Sequence, residues 1–338
     1  MKKTWTVVSG IMLSTALLFG CSNEGEIKNV TLTQQEQDAF MGMFLEKSNE
    51  EVEPAELVKL LNQNIEGLDE KKASDSVDAL LYSVYQYKED MNAVTKGLQP
   101  LLATYEEKGI NLNEKEEIEK VDDKVVQAFL EQAQSRYLKV AKENAQYVVV
   151  ADFDKVLSLY GKYMADDLKA MVEFSKAEFE VKYYDEGTQK MNLDVISDRI
   201  VLMENLSKEH PESYYANWFN QSKNFYYQLY FGMNGNAITK KDQTLLPEVE
   251  SHFQSMLSKH EGTEFANNIT LFFEEYKKNG NKVNDNVYVF LLDVTKKEHE
   301  TISNNETGDK SSPESNQVKE AIKKAIEEKK SEKSEDKK

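Results

Sequence analysis

Four histidines, His210, His252, His260 and His299, are the first residues to test for proton transfer or metal ligation. His252 and His260 lie eight residues apart. On one helix they share a side but sit about 12 Å apart along the axis. One metal could not join them without further ligands. Asp152 and Asp154 form an Asp-x-Asp, with Asp166 and Asp167 further along the chain. Paired carboxylates can do acid–base work or hold a cation, but Asp152 reads better as a helix cap. Asn281, Asn284, Asp285 and Asn286 supply oxygens of the kind found in a calcium loop. The glycine and the terminal glutamate of such a loop are missing. No P-loop, dinucleotide-binding glycine fingerprint, nucleophile elbow or HExxH occurs. These residues point to no catalytic group, no metal centre and no cofactor.

Aromatic residues are more suggestive. Tyr214, Tyr215, Trp218, Phe219, Phe225, Tyr226, Tyr227, Tyr230 and Phe231 crowd one short stretch. Tyr215, Phe219, Tyr226 and Tyr230 share one side of a helix, and Trp218, Phe225 and Phe231 widen it. Such a stripe is either core or a binding surface that stacks on sugars or anchors a protein. The amides Asn217, Asn220, Gln221 and Asn224 in its middle favour an interface. Trp218, Tyr214, Tyr215, Tyr226 and Tyr230 are therefore the candidate partner-binding residues, with Gly232 to Asn236 as a mobile rim.

The one cysteine is Cys21. Ahead of it, Lys2 and Lys3 precede an uncharged run from Trp5 to Phe19, and Gly20 adjoins the cysteine. This is the layout of a secretory signal, and the apolar run is too short for a comfortable membrane span. The stretch Leu18-Phe19-Gly20-Cys21 resembles the lipobox of bacterial lipoproteins. The resemblance covers the leader alone. It implies a signal peptide over 1–20, lipid on the Cys21 thiol, and a location at the extracytoplasmic face of a cell membrane. Lipidation consumes the thiol, so no disulfide supports the fold.

The formal charge is -18, and losing Lys2 and Lys3 with the leader makes it -20. The segment 303–338 holds equal numbers of acidic and basic side chains, so the excess lies ahead of it. An acidic body repels nucleic acid, and it repels anionic lipid, which leaves the acyl chains as the anchor. A cationic partner suits this charge.

With 14 Gly, 5 Pro and 30% charged residues, the composition favours long helices. The spacing predicts an all-α bundle of about eight to ten helices over 33–302. A lipidated tether over 21–32 precedes it and a disordered charged tail over 303–338 follows, with a possible division into subdomains near 185–192. Thr33 and Glu36 form a capping box. Pro54 opens a second helix. A third begins at Ser74 or Asp75, is kinked or split near Pro100, and closes at Gly109. Two runs of about 25 residues, through Val125–Ala141 and Val156–Val172, read as long central helices. Tyr147–Val150 has strand composition, but no partner strand is evident. Later helices are expected over Asn192–Leu206, Pro211–Phe231, Asp242–His260, Thr263–Lys278 and Asp285–Ile302.

The leading functional expectation is a non-catalytic binding or scaffold module, anchored to the membrane through Cys21, for a surface protein or cell-wall polymer. The alternative is a carboxylate-dependent hydrolase of cell-envelope or exported substrates, favoured by a cleft with close carboxylates of raised pKa. A transport receptor with two α/β lobes would need alternating strands, which the sequence lacks.

Overall fold

A computed structural model describes residues 27–50, 52–185, 187–233 and 238–292. The leader, Cys21, most of the 232–236 loop and the 303–338 tail lie outside the described residues. The described chain is all-α with two short strand pairs, and it divides into two compact units. The first holds the chain through Asn192 together with His210–Tyr215; the second holds Leu193–Glu209 and the chain from Ala216. Among the described residues, no helix is long and apolar enough to cross a membrane.

The first unit begins with α1 (Gln34–Asn49), whose capping box forms as the sequence implies. The Thr33 amide donates to Glu36 Oε2 at 2.8 Å, and the Glu36 amide donates to Thr33 Oγ1 at 3.4 Å. Part of the expected tether is not free chain. Ile27 packs on the core and the Lys28 amide donates to the Asn62 carbonyl at 2.8 Å. Helix α2 (Pro54–Asn64) carries proline in its first turn. Helix α3 (Glu70–Glu107) starts earlier than expected, because Asp69 caps it by accepting from the Lys72 amide at 2.9 Å. Pro100 lies inside α3 and does not split it. Buried Leu98, Leu102 and Tyr105 pack on both sides of the proline, so tertiary burial offsets the one lost backbone bond. Gly109, at φ +80°, ends the helix in the left-handed conformation.

The first expected long helix is a correction. After a single turn α4 (Lys115–Ile118), α5 spans only Lys124–Ser135. The chain then forms β1 (Leu138–Glu143), paired antiparallel with β2 (Gln146–Ala151). Asn144 and Ala145 join the strands at φ 52° and 60°. Positive φ at both central residues makes the tight turn that matches strand twist. Tyr147–Val150 therefore has a partner, Lys139–Lys142.

Neither edge of this hairpin is left bare. Asn92 and Gln99 on α3 each grip β2 twice. The Val149 amide donates to Asn92 Oδ1 at 2.7 Å, and Asn92 Nδ2 donates to the Val149 carbonyl at 2.9 Å. Gln99 does the same at Tyr147, with bonds of 2.8 and 2.7 Å. Asn113 holds Val140 on β1 in the same way, at 2.7 and 2.8 Å. Side-chain amides thus stand in for missing neighbour strands, which a two-stranded ribbon inside a helical unit requires.

The second expected long helix is also divided, into α6 (Phe153–Tyr160) and α7 (Asp166–Glu180). Asp152 caps α6, accepting from the Lys155 amide at 3.2 Å. The break is fixed from outside. Lys162 and Tyr163 both donate to Glu66, and the Ala165 amide donates to Ser74 Oγ at 3.0 Å. A short hairpin of β3 (Tyr184–Asp185) and β4 (Lys190–Met191) follows.

The second unit contains α8 (Leu193–Glu209), α9 (Ala216–Tyr230), α10 (Pro247–Lys259), α11 (Glu264–Lys278) and a helix over 285–292. Helix α8 stops ahead of His210-Pro211, as the proline requires. Helix α9 starts later than expected. Residues 211–215 form turns, in which the Tyr215 amide donates to Ser213 Oγ at 2.9 Å. The core of this unit is aromatic. Tyr230 stacks on Phe253 with centroids 4.6 Å apart, and Phe231 stacks on Phe272 at 5.3 Å.

Candidate functional site

Asp154, His252 and His260 are engaged in structural contacts. Asp154 binds Lys176 at 2.5 Å and Lys139 at 3.0 Å, and these two lysines hold its carboxyl below the usual range. His252 Nδ1 lies 3.8 Å from Asp194, and His260 Nε2 lies 3.6 Å from Asp198. Each imidazole therefore faces its own aspartate, and burial lowers the pKa of both. Asn284 and Asn286 donate to Asn279, while Asn284 accepts from the Asn286 and Val287 amides. The calcium-like loop is thus a helix cap. Among the described residues, no group of three or more His, Cys, Asp or Glu is arranged to hold a metal.

The aromatic candidates separate into two groups. Tyr226 and Tyr230 are buried on α9 in the second unit, with Phe219, Tyr227 and Phe231. This corrects the expectation that they border a partner. Two polar residues in the middle of α9 have partners of their own. Asn220 Nδ2 donates to the Ala216 carbonyl at 3.0 Å, and Lys223 pairs with Glu264 at 3.2 Å. Trp218 is half-buried, edge-on to Phe219 at 5.6 Å.

Tyr214 and Tyr215 have a different setting. They belong to the first unit, where they help line a groove of about 1080 Å³. Its other walls are the end of α1, the first turns of α3 and the start of α7, through Leu45, Asp75, Asp78, Tyr82 and Asp167 among others. Tyr214 is 87% exposed and Tyr82 is 55% exposed. Asp78 and Asp167, in the same lining, are half-buried.

Local bonds position these carboxylates. The Ala165–Ser74 bond ties the start of α7 to α3. Ser213 Oγ donates to Asp167 Oδ2 at 2.5 Å, and the Leu168 amide donates to Oδ1 at 2.8 Å. Burial pushes the Asp78 carboxyl up. The neighbouring Tyr215 hydroxyl pulls it back, and the charges of Asp75 and Asp167 push in the same direction as burial. The Tyr215 hydroxyl is raised in turn, first by burial and then by Asp78. Lys71, the one lysine in the lining, binds Asp75 at 2.7 Å. Carboxylates therefore outnumber the single lysine in a groove also lined by tyrosines, and its natural complement is positive charge beside apolar surface.

Sequence reasoning placed Tyr214 and Tyr215 among the candidates but missed Asp75, Asp78 and Tyr82. Those three lie at spacings of three and four on one helix, which could have flagged a shared face. Nothing in the sequence placed Asp167 beside them.

No protein-family model, curated protein or solved structure matches this chain.

Proposed function

We propose that this protein is a lipoprotein anchored at the extracytoplasmic face of a cell membrane by lipid on Cys21. We further propose that it is a non-catalytic binding module for a positively charged segment of an exported protein or cell-wall polymer. The supporting observation is the groove of the first unit, where exposed Tyr82 and Tyr214 share the lining with half-buried Asp78 and Asp167. Two large exposed rings in one groove with carboxylates suit a cation on an apolar stem. The acidic balance of the whole chain works in the same direction, by drawing cations toward the surface.

Calorimetric titration of the full-length protein in detergent micelles tests this reading. Lysine-rich and glutamate-rich peptides of equal length, each carrying one tryptophan, are the probes. The lysine-rich peptide should bind, and more weakly as salt rises. Asp78→Asn with Asp167→Asn should weaken it at least about tenfold, or about 1.4 kcal/mol. Equal affinity for both peptides, or no loss in the double variant, would contradict the proposal. The raised Asp78 carboxyl is the one observation favouring the hydrolase alternative. In that case Asp78→Asn would abolish turnover of a cell-envelope substrate while leaving its binding intact.

A further inference from the structure

Glu204 is a carboxylic acid on α8 with 1% of its surface exposed. Its surroundings are polar but incomplete. Tyr227 of α9 donates its hydroxyl to Glu204 Oε1 at 2.7 Å, and Asn268 of α11 donates to the Tyr227 oxygen at 3.0 Å. The second oxygen, Oε2, is buried and has no hydrogen-bond partner among the described residues. A dry, unbonded carboxylate oxygen is costly, and a neutral acid at the same place is much less so.

The charges nearby do not remove that cost. Lys223 of α9 is 4% exposed and already paired with Glu264 of α11 at 3.2 Å. If Glu204 also ionised, one ammonium would serve two carboxylates. Lys208, on α8 itself, adds a second positive charge, and Glu264 adds a negative one. Helix α10 meets α8 through His252 and His260, which face Asp194 and Asp198 at earlier positions.

We propose that Glu204 makes the second unit proton-responsive: α8 packs tightly on α9 and α11 while Glu204 is protonated, and this packing loosens when the proton leaves. Burial pushes the carboxyl up to about 7, outweighing the Tyr227 bond and the two lysines. The ordinary value is 4.5. The folded unit therefore holds the proton more tightly than an opened unit does. The stabilisation is full below 4.5, declines as pH rises, and is gone above about 7. The histidines act in the opposite sense, in a window that overlaps that of Glu204. Their lowered pKa values remove stability as pH falls through the ordinary histidine range.

Hydrogen exchange of the full-length protein at pH 6 and pH 8 tests this, after correction for intrinsic amide exchange. Peptides from α8, α9 and α11 report on the switch, and α3 serves as reference. In a His252→Gln, His260→Gln background, which removes the opposing histidines, opening of the second unit should increase about tenfold between the two pH values, the ratio set by moving one carboxyl between 4.5 and about 7. Adding Glu204→Gln to that background should abolish the increase. The same increase with Glu204→Gln added, or none in the double-histidine variant, would overturn the proposal. Should Glu204→Gln not fold, carbon-13 titration of the glutamate carboxyls in the parent protein decides. One carboxyl titrating near neutrality supports the switch, and all of them titrating below about pH 5.5 rejects it.

Discussion

Asn92 offers the sharpest test of how this fold is assembled. Its side chain satisfies both backbone groups of Val149, at 2.7 and 2.9 Å, on the outer edge of β2. Val149 itself is buried. In Asn92→Ala an amide and a carbonyl both lose their partners. A net hydrogen bond contributes about 1 kcal/mol, and an unmet buried group costs more. The expected destabilisation is about 2 to 3 kcal/mol. Asn92→Asp separates the two bonds. The carboxylate still accepts from the Val149 amide, but at neutral pH it turns a second lone pair toward the Val149 carbonyl. It should cost as much as alanine at pH 7 and much less near pH 3, where the protonated acid can donate. Urea unfolding of parent and variants at each pH measures the difference, and exchange of the Val149 amide localises it. A neutral Asn92→Ala, or an Asn92→Asp penalty that does not change with pH, would refute the edge-capping argument.

Three further outcomes follow from the packing. Tyr160 donates to Asn62 Oδ1 at 2.6 Å, so Tyr137, whose hydroxyl lies 3.2 Å away, must be the donor to Tyr160. Tyr160→Phe strands two groups and Tyr137→Phe strands one; the first should cost about 2 to 3 kcal/mol, the second about 1, and the pair less than their sum. Equal costs in chemical denaturation would contradict that order of donation. Lys223→Met leaves Glu264 without its ion pair beside Glu204; it should destabilise the second unit by about 3 kcal/mol at pH 8 and by less at pH 5.5. A calorimetric melt showing the same loss at both pH values would contradict this. Ile27 is packed on the first unit, so the chain from Cys21 to Ile27 can span no more than about 22 Å. If Cys21 carries lipid, a dye on Asn29→Cys should transfer energy efficiently to a membrane dye, and little transfer would count against an anchor at Cys21.

The helical class, the Thr33 capping box, Pro54, Gly109 and the His210-Pro211 stop were legible because each is a local rule acting on adjacent residues. The failures share a physical cause. The runs around Tyr137 and Gly161 keep helical periodicity, yet tertiary bonds from Asn92, Gln99, Asn113, Glu66 and Ser74 impose strands on one and a break on the other. The β1–β2 turn uses Asn-Ala, where the usual signal is Asn-Gly, and so gave no hairpin cue. The aromatic stripe mixed two environments. Its first tyrosines lie in a groove and its later ones in a core, and periodicity alone cannot separate them. The groove carboxylates come from α3 and the start of α7, so no local pattern could unite them.

The central claim is that the groove of the first unit receives a positively charged partner. A hydrogen-exchange footprint of the full-length protein, with and without a saturating lysine-rich peptide, tests it most directly. The account predicts slowed exchange in the first turns of α3, at 165–168 and at 214–215, which disappears in Asp78→Asn with Asp167→Asn. Protection confined to other surfaces, or unchanged by those substitutions, would contradict it.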